Sequence, residues 1–285
     1  MPGDPFRLVR PALPTVPLVV ASPHSGRHYD EDFLAASVLD RHRIRSSEDA
    51  FVDDLLAGVP GLGAPLLTAI YPRAWLDLNR AAEELDPAVV RDVPKTATNP
   101  RVNSGLGVIP RVVAEGRAIY EGKLSRAEAE DRIARVWHPY HAQLRDLMRE
   151  AEARFGRAIL IDMHSMPHEA IRSAAPRDAM PQMVLGDRFG ASAGPEVVDA
   201  LQDVFTGLGL RVARNAPFAG AYVTQAYGRP GRGWHAVQVE IDRALYMDEA
   251  TLEPHAGFDG LCQVITEGLR RFCAILDEAP RLAAE

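Results

Sequence analysis

AILIDMHS, residues 158–165, decides how the rest of the chain is read. Residues 158–162 are apolar up to Asp162. An apolar run of this length fits a strand covered on both faces, as in parallel sheets. Residues i and i+2 of a strand share a face, so Asp162 stands beside His164 and can orient it. Five further runs have strand character: 17–21 (PLVVA), 65–70 (PLLTAI), 182–185 (QMVL), 210–213 (LRVA) and 235–241 (HAVQVEI). Helical patterns separate them. This alternation predicts an α/β fold with a mixed, largely parallel central sheet flanked by helices. No repeat or shift in composition breaks the chain, so residues 1–285 read as a single domain.

The clearest helix starts at Ser125, which forms a capping box with Glu128. Ile133, Val136, Trp137, Tyr140, Leu144, Leu147 and Met148 then recur in steps of three and four. Pro139 should kink or split this helix, and Gly156 ends it. Further helices fit 50–58, 195–207 and 258–276. The polar, Pro-rich stretch 83–110 reads as an excursion over the surface.

Composition narrows the function classes. With 47% hydrophobic and 25% charged residues, the 285-residue chain is globular. A net charge of −7 argues against nucleic-acid binding, which needs a basic face. It leaves room for a small anionic substrate held by one or two arginines. No apolar run approaches the roughly 20 residues that span a bilayer. MPGDPFRLVRPALP lacks the apolar core of a signal peptide. Cys262 and Cys273 lie eleven apart in a helical region, too far for a disulfide, and read as buried thiols. A cytoplasmic protein is the expectation.

Ligands of open α/β sheets bind beyond the carboxyl ends of strands, so the residues just past each strand matter most. Ser-Pro-His24-Ser-Gly comes after 17–21. YPRAWLDLNR comes after 65–70 and carries Arg73, Asp77, Asn79 and Arg80. Asp162-Met-His164-Ser closes the run from 158, and Glu240 lies near the end of 235–241. A lone His after a strand more often caps or packs, but two such histidines point toward a metal. Two His ligands bind weakly, so a carboxylate is needed. SSEDAF offers Glu48 and Asp49, although it also reads as an ordinary helix start. Glu240 in an apolar strand is a general base or the partner of Arg243; the chain leaves both open. His28 stands four after His24, yet no helical pattern continues from it, so no metal role is expected for it. Ser25 and Ser165 adjoin histidines, but adjacent side chains rarely face each other and no G-x-S-x-G elbow is present. No Gly-rich nucleotide loop occurs.

With these residues in view, the chain resembles the N-formylglutamate amidohydrolase (deformylase) family. The resemblance rests on SPHSGRHY (22–29), ED-x-FVD-x-L (48–55), YPRAWLDLNR (71–80), SGLGVIP (104–110), WHPYH (137–141), DMHSMP (162–167), NAPFAGAYVTQAYGRP (215–230) and HAVQVEIDRALYMDE (235–249). It implies a zinc-dependent amide hydrolase on a zinc-exopeptidase type of sheet, in the family tied to histidine degradation. DLNR is also distantly similar to zinc aminoacylases of the aspartoacylase type. That likeness implies Arg73 at the scissile carbonyl, Asn79 and Arg80 on the substrate carboxylate, His164 on zinc and Glu240 as base. Those relatives carry His-x-x-Glu, whereas Arg27 stands three after His24. The carboxylate ligand is therefore expected elsewhere, at Asp49 with Glu48 second. Tyr222 and His235 are expected in the pocket, and Arg172, Arg229 or Arg232 on a second substrate carboxylate.

The expectation is one Zn²⁺ on His24, Asp49 (or Glu48) and His164, removing an N-formyl or small N-acyl group from glutamate or a related acidic amino acid. A broader zinc deacylase or small peptidase, and a silent ligand-binding relative, are the alternatives.

Overall fold

The structure is a computed structural model that describes residues 4–94, 100–172 and 180–282, with side chains through 276. The chain divides into two compact units, each discontinuous in sequence. One takes Leu8–Ser22, Phe51–Leu67 and Leu144–Glu285; the other takes Met1–Arg7, Pro23–Ala50 and Thr68–Gln143.

Most of the sheet lies in the first of these. Its strands are β1 (Phe6–Val9), β2 (Leu18–Ser22), β3 (Leu66–Ala69), β4 (Ala158–Met166), β5 (Met183–Gly186), β6 (Val212–Arg214) and β7 (Trp234–Asp242), in the order β1-β3-β2-β4-β7-β5-β6. β2, β4 and β7 run parallel, β5 runs antiparallel to β7, and β6 is parallel to β5. The sheet is thus mixed and largely parallel, as the apolar runs indicate. All nine residues of β4 are buried, which is why its sequence is apolar rather than alternating. β4 does not stop at Asp162 but continues through His164 to Met166, because parallel pairing with β7 persists to Met166↔Asp242. β1 escapes a pattern reading: three half-buried residues and one exposed residue at the sheet edge leave little apolar signal.

Pro195–Gly207 forms a helix on the expected residues, with Pro at its first position and Val197, Val198, Leu201, Val204 and Phe205 buried. Phe258–Leu282 is the last helix. The expected helix 50–58 is much shorter. It reduces to Val52–Leu55, since Phe51 is left-handed (φ 62°), and a 3₁₀ turn containing Pro60 comes next at Val59–Leu62. Cys262 and Cys273 are both free thiols.

In the other unit, the Ser125 side chain accepts the Glu128 N–H at 3.1 Å and starts the helix Arg126–Arg132. The helix then widens to π geometry over Ile133–Trp137 before continuing as His138–Phe155. Pro139 has no N–H to give and crowds the carbonyl four residues back, so the wide turn precedes it. Stretch 83–110 is largely irregular, with a short helix at Pro100–Asn103 and a bridge between Val90 and Leu124. Residues 95–99 of that stretch lie outside the described residues. Among the described residues, no helix is long and apolar enough to cross a membrane.

Candidate metal centre

On the sheet, β4 and β7 stand in register with Asp162 opposite Gln238 and His164 opposite Glu240. Paired residues of neighbouring strands share a face, and the period of two keeps all four on that one face. Asp162 Oδ2 lies 3.0 Å from His164 Nε2. Gln238 Nε2 donates to Glu240 Oε1 at 2.7 Å. All four residues are buried.

β2 pairs with β4 up to Ala21↔Asp162, and the chain leaves it through Ser22-Pro23 into His24. His24 and Asp49 are held together by backbone: the Asp49 N–H donates to the His24 carbonyl at 3.0 Å. Their side chains lie alongside, with His24 Nδ1 at 3.5 Å from Asp49 Oδ2. The other ring nitrogen, Nε2, lies 2.7 Å from Asp77 Oδ1. Asp77 is fully buried. Burial alone would raise its pKa, but its contact with His24 and the charges of Arg73 and Arg80 outweigh this and hold the carboxyl well below its usual range. An ionised carboxylate only accepts, so the Nε2 facing it carries the proton and leaves the Nδ1 lone pair of His24 toward Asp49. Asp162 stands in the same place behind His164, with its Oδ2 on Nε2 and Nδ1 on the far side of the ring.

One ligand atom each from His24, Asp49 and His164 lie within 4.8 Å of one another, and all three residues are buried. Two neutral imidazoles and one carboxylate are a donor set suited to Zn²⁺ and similar divalent cations. Carboxylates behind both imidazoles complete the arrangement typical of metal-bound histidine. Glu48 faces elsewhere: its oxygens take Arg45 Nε at 2.9 Å and Nη2 at 3.2 Å.

The loop after β3 supplies the cations. Arg73 Nε donates to Asp77 Oδ2 at 3.0 Å, and the Asn79 N–H to Asp77 Oδ1 at 2.8 Å. Arg80 is buried, with Nε on the Leu106 carbonyl and Nη1 on that of Asn79, both at 2.8 Å. Burial lowers its pKa against the opposing pull of Asp77 and of Glu84, whose Oε2 lies 3.9 Å from Arg80 Nε. Distant donors fix the loop's carbonyls. Trp137 Nε1 donates to Arg80 O at 2.9 Å, His141 Nε2 lies 2.9 Å from Leu78 O, and Arg132 Nη1 reaches Trp75 O at 3.1 Å. The turn 104–110 braces it too, with Asp77 N–H on Val108 O at 2.9 Å. A Cβ at Gly107 would stand 2.5 Å from Glu84 O, so only glycine allows that approach.

Other expected residues are placed differently. His235 precedes Glu240 by five on β7, hence on the opposite face, and its Nδ1 accepts the Gly194 N–H at 3.0 Å. That contact braces the start of the helix Pro195–Gly207. Arg243 Nε donates to Ser165 Oγ at 3.1 Å, with Glu249 at 3.9 Å. Arg172 is exposed and paired with Glu169 at 2.8 Å. Arg229 Nη1 donates to the carbonyls of Gln225 and Gly228, and Arg232 is exposed. Tyr222 opens the helix Tyr222–Tyr227, one residue beyond Ala221, whose N–H reaches Gln238. His28 is exposed, its ring edge-on to Tyr71. Two residues given no role from the sequence stand out. Asp77 was concealed by the 53 residues between it and His24. Gln238 could have been found from the period of two that ends at Glu240.

A family model described as N-formylglutamate amidohydrolase matches residues 16–247. Over 240 residues the chain is 32% identical to an N-formylglutamate deformylase of Pseudomonas aeruginosa, covering 82% of this chain and 83% of that one. It is 30% identical over 254 residues to an N-formylglutamate deformylase of Pseudomonas putida, covering 87% of each. The crystal structure of N-formylglutamate amidohydrolase from Ralstonia eutropha superposes with a TM-score of 0.89 at 36% identity, over 98% of this chain and 99% of that one.

Proposed function

The chain belongs to the N-formylglutamate amidohydrolase family and is a hydrolase acting on amides; from that premise we propose that it deformylates N-formylglutamate with a divalent cation, zinc, on His24, Asp49 and His164. The observation that carries the reading is the convergence of those three ligand atoms within 4.8 Å, with an aspartate behind each imidazole. A cation there lowers the pKa of a water from about 16 toward about 7 and polarises the amide carbonyl.

The chain's own groups do the rest. Glu240, in register with His164, takes a proton from the attacking water and passes it to the amine nitrogen as the C–N bond breaks. The products are formate and glutamate. Arg73, aimed by its bond to Asp77, stabilises the charge that grows on the carbonyl oxygen. Asn79 and Arg80 hold the α-carboxylate, Arg80 through its planar fork. Tyr222 lines the pocket.

The test is turnover of N-formyl-L-glutamate against its N-acetyl and N-succinyl analogues, before and after chelation. Formyl preference, loss on chelation and recovery with zinc are expected. Full activity in the chelated, metal-free protein would sink the reading.

A further inference from the structure

We infer that Gln238 is a positioning residue that fixes Glu240 as a proton acceptor and ties it to the loop ending at Ala221; this deepens the reading above and rests on Glu240 as base. The Ala221 N–H donates to Gln238 Oε1 at 3.0 Å. A backbone N–H can only donate, so this contact sets which end of the amide is oxygen. The nitrogen end then has to face Glu240, where Nε2 meets Oε1 at 2.7 Å. An amide nitrogen can only donate, so Glu240 Oε1 is held as an acceptor.

Neighbouring geometry makes the amide necessary. Gln238 lies between Asp162 of β4 and Gly186 of β5 in the register, so it fills the row beside Glu240 on a buried face. An acid at 238 would set like charges against both Asp162 and Glu240. An apolar residue would leave the Ala221 N–H and a carboxylate oxygen short of a partner, at a cost in orientation. Glycine at 186 brings the 215–221 segment close: a Cβ there would stand 2.7 Å from Gly220 N. The segment beyond the cis Ala216–Pro217 bond is thereby joined, through one amide, to the base.

Two variants test this. Gln238→Met removes both bonds at similar length. Gln238→Glu keeps the acceptor for Ala221 and the volume, but cannot donate to Glu240. For each, kcat should fall about 10- to 100-fold with KM within about twofold and with unchanged metal content. Glu240→Gln is the control, expected to lose about 10²- to 10⁴-fold. If Glu240→Gln is inactive but Gln238→Glu keeps the wild-type kcat, the inference is overturned. It is equally overturned if the loss in either variant lies in KM alone. An active Glu240→Gln would instead remove the base reading itself. Should Gln238→Met fail to fold, Gln238→Glu decides alone.

Discussion

Asp77 Oδ1 stands 2.7 Å from Nε2 of His24, and Oδ2 of the same carboxylate accepts from Arg73 at 3.0 Å. One buried acid thus faces the ring of a proposed metal ligand and aims the cation next to it. Asp77→Asn keeps the shape but can present a donor to Nε2, which frees the imidazole to protonate Nδ1 instead. Metal affinity should drop about 10- to 100-fold. Competition with a chromogenic chelator reads this directly. Affinity equal to wild type would show that Asp77 does not set the tautomer.

Arg80→Lys is not a conservative change. A lysine cannot reproduce the contacts to Leu106 O and Asn79 O while also meeting a carboxylate through a planar fork. The expected loss in kcat/KM is about 1.5–3 kcal/mol, carried by KM. Steady-state kinetics on N-formylglutamate provides the check, and a loss confined to kcat would contradict carboxylate binding by Arg80.

Gly26 lies where the strand exit meets the next loop. A Cβ there would stand 2.0 Å from Tyr71 O, which is backbone and cannot swing aside. Gly26→Ala should therefore cost about 1–3 kcal/mol of stability. Chemical denaturation measures the cost; a midpoint equal to wild type would show that the two segments part easily.

His235 governs an acid limb of stability. Burial lowers its pKa below 6.5, against the opposing pull of Glu196. The neutral ring accepts the Gly194 N–H, so this contribution is complete above the unfolded value and erodes as pH falls through the lower folded one. His235→Gln should flatten the decline in thermal midpoint below about pH 6.5. An unchanged slope would place the acid sensitivity elsewhere.

How much of this was legible in the sequence differs from residue to residue. Asp162 and His164 were, because a strand's period of two is a local property. The strand and helix pattern likewise gave the largely parallel sheet. Glu48 and Asp49 were not separable, since adjacent side chains diverge and only the Asp49 N–H bond to His24 O selects between them. Asp77 was visible as an acid but equally consistent with a local pair to Arg73, four residues earlier. His235 lies in the same run as Glu240, and counting parity back from Glu240 puts it on the far face of the strand. The break after Phe51 depends on a left-handed backbone that no residue type there announces.

The carbonyls of Trp75, Leu78 and Arg80 are each engaged by a side chain 57 to 63 residues away, from Arg132, His141 and Trp137. That clamp has a kinetic meaning. If Asn79 and Arg80 bind the substrate as proposed, the surface it meets is set before it arrives, so stopped-flow association should show a single phase whose rate rises linearly with ligand concentration. Calorimetry should find little entropy lost on the protein's side.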